Sequence, residues 1–141
     1  MTVDSVTIAL VGSGGAGVMT AGQMLLDAAA TVGWYGLMSR SSGPQIRGGE
    51  AAAFVRLSPR PVQGPGDRFD VIVAFDWQNV ERFAAELPLT AASVIVTDPA
   101  QGAVPAVLAA SGARQIEMPI KEWAASITGG PSANFTLTNV P

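Results

Sequence analysis

The amino-acid sequence predicts an α/β fold: a doubly wound, largely parallel sheet with helices on both faces. Short apolar runs rich in β-branched residues alternate along the chain with segments whose apolar residues recur at helical spacing. Asp70–Phe75 (DVIVAF) shows the continuous apolar character of a strand that is covered on both faces. Because strands and helices alternate, parallel pairing with helical connections is the favoured arrangement.

Each expected element can be placed on the chain. The expected strands are Ser5–Val11, Trp34–Met38, Glu50–Leu57, Asp70–Phe75, Ser93–Thr97 and Arg114–Met118. The expected helices are Gly17–Val32, the segment between Asp76 and Pro88, Val104–Ala110 and Lys121–Ile127. Ser39–Gly49 is expected to be a polar loop that contains glycine.

Local signals support the helix ends. The apolar face of the first helix is expected to comprise Val18, Ala21, Leu25, Ala28, Ala29 and Val32. Gly33 suits the C-terminal stop of this helix. Asp76 is expected to cap the second helix, and a ligand role at its strand end is the less favoured alternative. Asp98 with Pro99 occupies an equivalent strand end and is expected to form a turn.

The composition limits the classes of function. Of the 141 residues, 48% are hydrophobic and 13% are charged, but no apolar run reaches the ~18 residues that a spanning helix needs. The apolar surplus therefore indicates buried strands or a subunit interface. The seven arginines and one lysine form no stripe and the net charge is −3, which argues against nucleic acid as a partner. The N-terminus lacks the basic flank of a signal peptide, so the cytoplasm is the expected location.

The sequence contains no cysteine and no histidine. It therefore cannot ligate an iron–sulfur cluster through thiolates, and it offers neither an imidazole base nor a zinc site of the usual kind. No catalytic residue and no metal ligand is assigned. Any redox chemistry is expected on a borrowed cofactor or on another chain.

A glycine-rich loop follows the first strand. The segment Gly12–Gly17 (GSGGAG) contains the pattern G-x-G-x-x-G and opens the first helix, so its backbone N–H groups can approach an anion. A tight turn in which glycine serves packing alone is the alternative. The candidate ligands of a phosphate-bearing cofactor in this loop are Gly12, Gly14, Gly15 and Gly17.

The residues after the second strand argue against NAD. An NAD site usually carries an acidic residue about 20 positions beyond the glycines. This chain has Met38, Ser39 and Arg40 there. An arginine suits an additional phosphate, such as that of NADP or the 3′-phosphate of coenzyme A.

The polar loop between the second and third strands is the other candidate site. In it, Arg47 precedes two glycines, which can place its guanidinium beside exposed backbone N–H groups. This arrangement favours contact with phosphate, carboxylate or a neighbouring subunit, whereas a solvated loop with Arg47 paired to Glu50 is the alternative. The candidate ligands are Arg40, Ser41, Ser42, Arg47, Gly48 and Gly49.

The order of these motifs resembles one protein family. A glycine loop leads into T-A-G-Q-M-L (Thr20–Leu25), then S-G-P-Q-I-R-G-G-E (Ser42–Glu50), and later D-V-I-V-A-F. This series, strongest over Val6–Leu57, resembles the γ subunit or γ domain of the 2-oxoacid:ferredoxin (acceptor) oxidoreductases, which include the pyruvate, 2-oxoglutarate and indolepyruvate enzymes. Three positions depart from the common family pattern, with Ala16 for glutamine, Ser42 for tyrosine and Gln45 for glutamate.

The resemblance implies a function. Family members convert a 2-oxoacid and coenzyme A to acyl-coenzyme A and CO₂, and pass the electrons to ferredoxin or another acceptor. By resemblance, this domain contacts coenzyme A through the glycine loop and Arg47–Gly49, and packs against the α and β domains. Those domains or subunits carry thiamine diphosphate with Mg²⁺ and the iron–sulfur clusters. The isolated γ domain is expected to be inactive.

Two other functions stay open. A free-standing NADP-binding reductase would place Arg40 on the 2′-phosphate, although Tyr35 and Lys121, the only tyrosine and lysine, lack the Y-x-x-x-K spacing of short-chain reductases. A structural scaffold of the same complex would leave the glycine loop without a ligand. Residues 1–141 are expected to form one Rossmann-like γ-type domain, and the abrupt ending indicates a fragment, or the N-terminal part, of a longer chain.

Overall fold

The computed structural model describes residues 5–13, 17–41, 52–62, 64, 68–78, 80, 84 and 87–128. Within these ranges six strands form one sheet, in the order β2-β3-β1-β4-β5-β6. The strands are β1 (Val6–Val11), β2 (Tyr35–Ser41), β3 (Ala52–Ser58), β4 (Val71–Ala74), β5 (Val94–Thr97) and β6 (Arg114–Glu117). The predicted α/β fold class is confirmed.

The sheet is mixed. The pairs β1–β4, β4–β5 and β5–β6 are parallel, as the sequence predicts. Strand β3 lies between β1 and β2 and runs antiparallel to both, so β2 points in the same direction as β1. The connection from β2 to β3 covers residues 42–51 and is shorter than the dozen or so residues that a parallel crossover needs, which accounts for the reversal at β3.

Three α-helices lie within the described residues: α1 (Val18–Thr31), α2 (Ala106–Ala109) and α3 (Ile120–Thr128). The predicted helix between Asp76 and Pro88 falls largely outside the described residues. Of the apolar residues at helical spacing in this segment, Val80 and Leu87 are buried and Ala84 is half-buried. None of the described helices is both long and apolar enough to cross a membrane.

Helix α1 packs closely on the β1–β3–β2 part of the sheet. A Cβ atom at Gly22 would lie 2.7 Å from the Sδ atom of Met38 and 3.2 Å from the Cβ atom of Ala53. Glycine at this position therefore permits the close approach of helix and sheet. The predicted apolar face is right at Val18 and Ala29, which are buried, but wrong at Ala28, which is exposed because the contact face runs through Gly22 instead.

Gly33 follows the C-terminal cap of helix α1 and provides the predicted stop. Gly33 has φ = +82°, its N–H donates to the carbonyl of Ala30 (3.1 Å), and the N–H of Trp34 donates to the carbonyl of Ala29 (2.9 Å). This pair of hydrogen bonds is a Schellman motif. Val32 was expected on the buried face, but it is 71% exposed because it is the C-terminal cap residue and no longer follows the helical face.

Apolar clusters cover both faces of the sheet. On one face the buried residues Leu10, Val18 and Ala53 join β1 and β3 to α1. The cluster on the other face contains Ile72 and Ile95, which are fully buried. The residues that cover these strands follow β4 and β5 in the chain and include Trp77, Val80, Leu87 and Leu108. The doubly wound arrangement follows, because the segment after β1 and the segment after β4 cover opposite faces.

Candidate anion-binding site at the carboxyl edge of the sheet

Both predicted loops begin at one edge of the sheet. In the strand register Val11 pairs with Ala52, and Ala52 pairs with Ser41. The end of β1, the start of β3 and the end of β2 are therefore neighbours, with β1 and β2 about 10 Å apart at the usual strand spacing. The glycine loop leaves from Val11 and the polar loop leaves from Ser41, so the structure brings the origins of the two motifs together.

The same edge contains a topological switch point between β1 and β4. The chain passes from β1 to β2 on one side of the sheet and from β4 to β5 on the other. Open α/β sheets bind ligands in the crevice outside the carboxyl ends of two such strands. Here the N–H of Phe75 donates to the carbonyl of Val11 (2.7 Å), which keeps the ends of β1 and β4 in contact up to the glycine loop.

Two glycines of the loop lie within the described residues. Gly12 is buried directly after β1. Gly17 is the N-cap residue of α1 and adopts φ = +90° and ψ = +17°, a left-handed conformation that glycine takes readily. Its carbonyl accepts the first helical hydrogen bond, from the N–H of Ala21 (2.9 Å). The predicted roles of both glycines in a tight strand-to-helix turn are consistent with this geometry.

The N-terminus of α1 has the electrostatics that an anion requires. Its cap residue has no side chain to accept the free N–H groups, and the first turn contains no acidic residue. The partial positive charge of the helix end is therefore not neutralised by α1 itself. Such an end, preceded by glycines, is the usual form of a phosphate site in this type of fold.

Arg40 was predicted to lie in a loop, but it lies on β2. It pairs with Ala53, and Ser41 pairs with Ala52, because the β2–β3 ladder extends three residues beyond the predicted end at Met38. Met38 packs with the α1 cluster, and alternate residues of a strand share a face, so Arg40 also lies on the α1 face. Arg40 is exposed and lies nearer the carboxyl edge, where α1 begins.

Asp76 has two roles at the switch point. Its Oδ1 atom accepts a hydrogen bond from the N–H of Gln78 (3.1 Å), the kind of contact that a cap residue makes, but the start of the predicted helix lies outside the described residues. Its Oδ2 atom accepts from both the N–H (3.0 Å) and the hydroxyl (2.7 Å) of Ser13. The sequence did not predict this second role, because it depends on the pairing of β1 with β4 in the folded sheet.

Asp98, at the end of β5, has a structural role. It is 3% exposed, and its Oδ1 atom accepts from the N–H of Ala100 (2.9 Å) at the start of a 3-10 helix, Pro99–Gln101. Its Oδ2 atom accepts from the N–H of Lys121 (2.9 Å). The carboxylate therefore forms the predicted turn and also fixes the start of α3.

An open groove of about 210 Å³ lies along β2 and β3, but its chemistry does not suit a phosphate. The side chains of Leu37 and Phe54 make it apolar, and the Nη1 atom of Arg56 donates to the carbonyl of Gly64 (2.8 Å). The carboxyl edge thus remains the candidate site. Among the sequence-predicted ligands, Gly14, Gly15, Ser42, Arg47, Gly48 and Gly49 lie outside the described residues.

Sequence comparison identifies the family. The family described as POR, pyruvate ferredoxin/flavodoxin oxidoreductase, matches residues 7–139. The chain belongs to this family. It is also 34% identical over 83 residues to the ketoisovalerate oxidoreductase subunit VorA of Methanothermobacter marburgensis, a match that covers 58% of this chain and 17% of that protein.

Solved structures show the same fold. The γ subunit of a keto/oxoacid ferredoxin oxidoreductase from Geobacter sulfurreducens matches with a TM-score of 0.71 and 24% identity over 94% of this chain and 71% of that one. Pyruvate oxidoreductase subunit PORC from Thermotoga maritima gives 0.67, with 20% identity and the same coverage. A 2-oxoglutarate:ferredoxin oxidoreductase from Magnetococcus marinus, solved with 2-oxoglutarate, coenzyme A and succinyl-CoA bound, gives 0.73 at 24% identity, over 94% of this chain and 23% of that one. The predicted resemblance to this oxidoreductase family is confirmed by the family match, and these structures agree with it in fold.

Proposed function

We propose that this chain is the γ component of a thiamine diphosphate-dependent 2-oxoacid:acceptor oxidoreductase and that it contacts coenzyme A at the carboxyl edge of its sheet. The observation that carries the proposal is the strand register, which puts the origins of the glycine loop and the polar loop side by side at the N-terminus of α1. Family membership supports the reaction class. A structural relative solved with coenzyme A bound supports the coenzyme.

The described residues fit the phosphates of coenzyme A. The uncapped start of α1, with Gly17 before it, suits the pyrophosphate, because free N–H groups and the helix dipole point there. The guanidinium of Arg40 suits the 3′-phosphate, because arginine forms charge-assisted hydrogen bonds with phosphate oxygens. In this proposal the chain binds and orients the coenzyme and has no catalytic residue.

The reaction itself is assigned to partner domains. In the proposed complex, thiamine diphosphate with Mg²⁺ supplies the decarboxylation chemistry, and iron–sulfur clusters carry electrons to ferredoxin or another acceptor. Residues 1–141 are proposed to be one γ-type domain that packs against the thiamine-binding α and β domains, as a subunit or as part of a fused chain. The matching segments span 17% of VorA and 23% of the Magnetococcus chain, which supports a larger assembly. The isolated domain is expected to show no turnover.

The Arg40→Gln variant is expected to raise the KM for coenzyme A about tenfold or more, because a hydrogen bond to a charged group contributes roughly 1.5–3 kcal/mol. The same variant is expected to leave the KM for dephospho-coenzyme A unchanged, since that analogue lacks the 3′-phosphate. Steady-state kinetics of the complete complex with both coenzymes measure the effect.

Arg114→Gln is the matched control for this experiment. Arg114 is also an exposed arginine on a strand, but it lies at the start of β6, at the opposite edge of the sheet. Its replacement is expected to leave both KM values as they are. An equal response of the two coenzymes to Arg40→Gln would contradict the assigned phosphate contact.

Titration of the purified protein with NADPH and coenzyme A separates the alternatives. Tight binding of NADPH with none of coenzyme A would favour a reductase and contradict the proposal. Mild purification tests the partners, since the proposal expects a thiamine-binding chain to be fused to this domain or to co-purify with it. A protein that elutes alone, with no thiamine-binding chain fused or bound, and that binds neither coenzyme would contradict both functions.

A further inference from the structure

Two aspartates that bracket β4 hold β1 at its two ends. The Oδ2 atom of Asp70, before β4, accepts a hydrogen bond from the N–H of Thr7 (2.9 Å). The Oδ2 atom of Asp76, after β4, accepts from the N–H of Ser13 (3.0 Å). Both carboxylates are half-buried. They make the same kind of contact between the same two strands, but at opposite edges of the sheet.

The contact at Asp76 is the more extensive of the two. Its carboxylate accepts three hydrogen bonds, two from Ser13 and one from the N–H of Gln78. Hydrogen bonds to an ionised carboxylate are shorter and stronger than bonds between neutral groups. Ser13 lies between Gly12 and Gly14, and glycine-rich backbone has the most conformational freedom to lose on ordering. The carboxylate thus fixes the loop where it leaves the sheet.

We propose that Asp76 is a positioning residue for coenzyme A, which it never touches: it holds Ser13 so that the glycine loop starts in the conformation that receives the phosphate. This inference rests on the proposed function. This role explains why an acidic side chain lies near a proposed anion site. A carboxylate without hydrogen-bond donors would repel phosphate there and weaken its binding. This role also removes the N–H of Ser13 from the groups that bind the phosphate, since Asp76 already accepts from it.

The Asp76→Asn variant tests the inference in the complete complex. Asparagine has the same shape and can still cap Gln78 through its carbonyl oxygen, but the amide nitrogen that replaces Oδ2 cannot accept from the N–H of Ser13. We expect the KM for coenzyme A to rise about fivefold or more, with kcat at saturating coenzyme unchanged, because only coenzyme binding is weakened.

Asp70→Asn is the matched control. It weakens the equivalent contact with the N–H of Thr7, between the same two strands and away from the glycine loop, because an uncharged amide oxygen takes the place of the carboxylate. We expect it to lower the thermal midpoint much as Asp76→Asn does and to leave the KM for coenzyme A unchanged. If both variants raise that KM equally, Asp76 acts through general stability and the inference is overturned.

Ser13→Ala is a second variant, and it leaves the carboxylate of Asp76 in place. It removes the hydroxyl bond to Asp76 but retains the backbone N–H bond, so a smaller rise in the same KM is expected. An unchanged or lowered KM in Asp76→Asn, alongside a raised KM in Arg40→Gln, would overturn the inference and leave the proposed function standing. An unchanged KM in all of these variants would overturn both.

Discussion

Replacing Ile72 with alanine is expected to lower the free energy of unfolding by about 2–5 kcal/mol, because it removes buried methylene groups and leaves a cavity that the sheet cannot close. Ile72 is 0% exposed and lies in β4, where it pairs with Ala9 of β1 and Ile95 of β5. A loss of this size is a large part of the 5–15 kcal/mol that stabilises an ordinary domain. Urea unfolding of the full protein measures it.

Ile127→Ala is the matched control for this stability prediction. The same atoms are deleted, but Ile127 lies on α3 and is 63% exposed. Surface substitutions of this kind usually change the free energy of unfolding by no more than about 0.5 kcal/mol. Equal losses in the two isoleucine variants would mean that β4 is not the centre of the core.

Replacing Gly17 with alanine is expected to have the largest effect on coenzyme binding of any single change in the described residues. Gly17 has φ = +90° at the start of α1, and a residue with a Cβ atom pays roughly 1–2 kcal/mol in that left-handed conformation. The loop can relieve this strain only by moving, and a small misplacement of binding groups can cost about a hundredfold in rate. We expect kcat/KM for coenzyme A to fall at least tenfold.

Gly33→Ala separates this effect from loss of stability. Gly33 lies at the other end of the same helix, has φ = +82°, and would have no atom within 4 Å of an added Cβ. It therefore suffers the same backbone strain without contact with the proposed site. Thermal unfolding should shift similarly in the two variants, whereas the coenzyme kinetics should change only in Gly17→Ala. A parallel loss of activity in Gly33→Ala would remove the argument for a specific role of the glycine loop.

Strands β1, β3, β4 and β5 were predictable because each contains a short apolar run whose burial decides its position. The run from Asp70 to Phe75 differs from β4 by one residue at each end, since only Val71–Ala74 lies within the ladder. The antiparallel direction of β3 was not predicted, because alternating elements favour parallel pairing and the direction depends on how far residues 42–51 can reach. The extension of β2 through Arg40 depends on pairing with Ala53 and has no local signal.

The candidate site was predictable in part for a similar reason. Gly12 and Gly17 belong to a local pattern of glycines that itself permits the tight turn from strand to helix. Their positions in that turn could therefore be predicted from the sequence. The contact between Ser13 and Asp76 joins residues 63 positions apart and depends on the parallel register of β1 and β4. A capping role for Asp76 can be predicted from the residues next to it in the sequence. Its hydrogen bonds to Ser13 in the glycine loop are visible only in the folded sheet.

Photolabelling of the complete complex with a coenzyme A analogue, photoreactive near its phosphates, shows whether this chain contacts the coenzyme. We expect labelled peptides from the carboxyl edge, around Gly12–Gly17 or between Arg40 and Ala52, with protection by unlabelled coenzyme A. We also expect weaker labelling in Arg40→Gln and Gly17→Ala. Protectable labelling confined to other domains or subunits of the complex would contradict the assignment of coenzyme A to this chain.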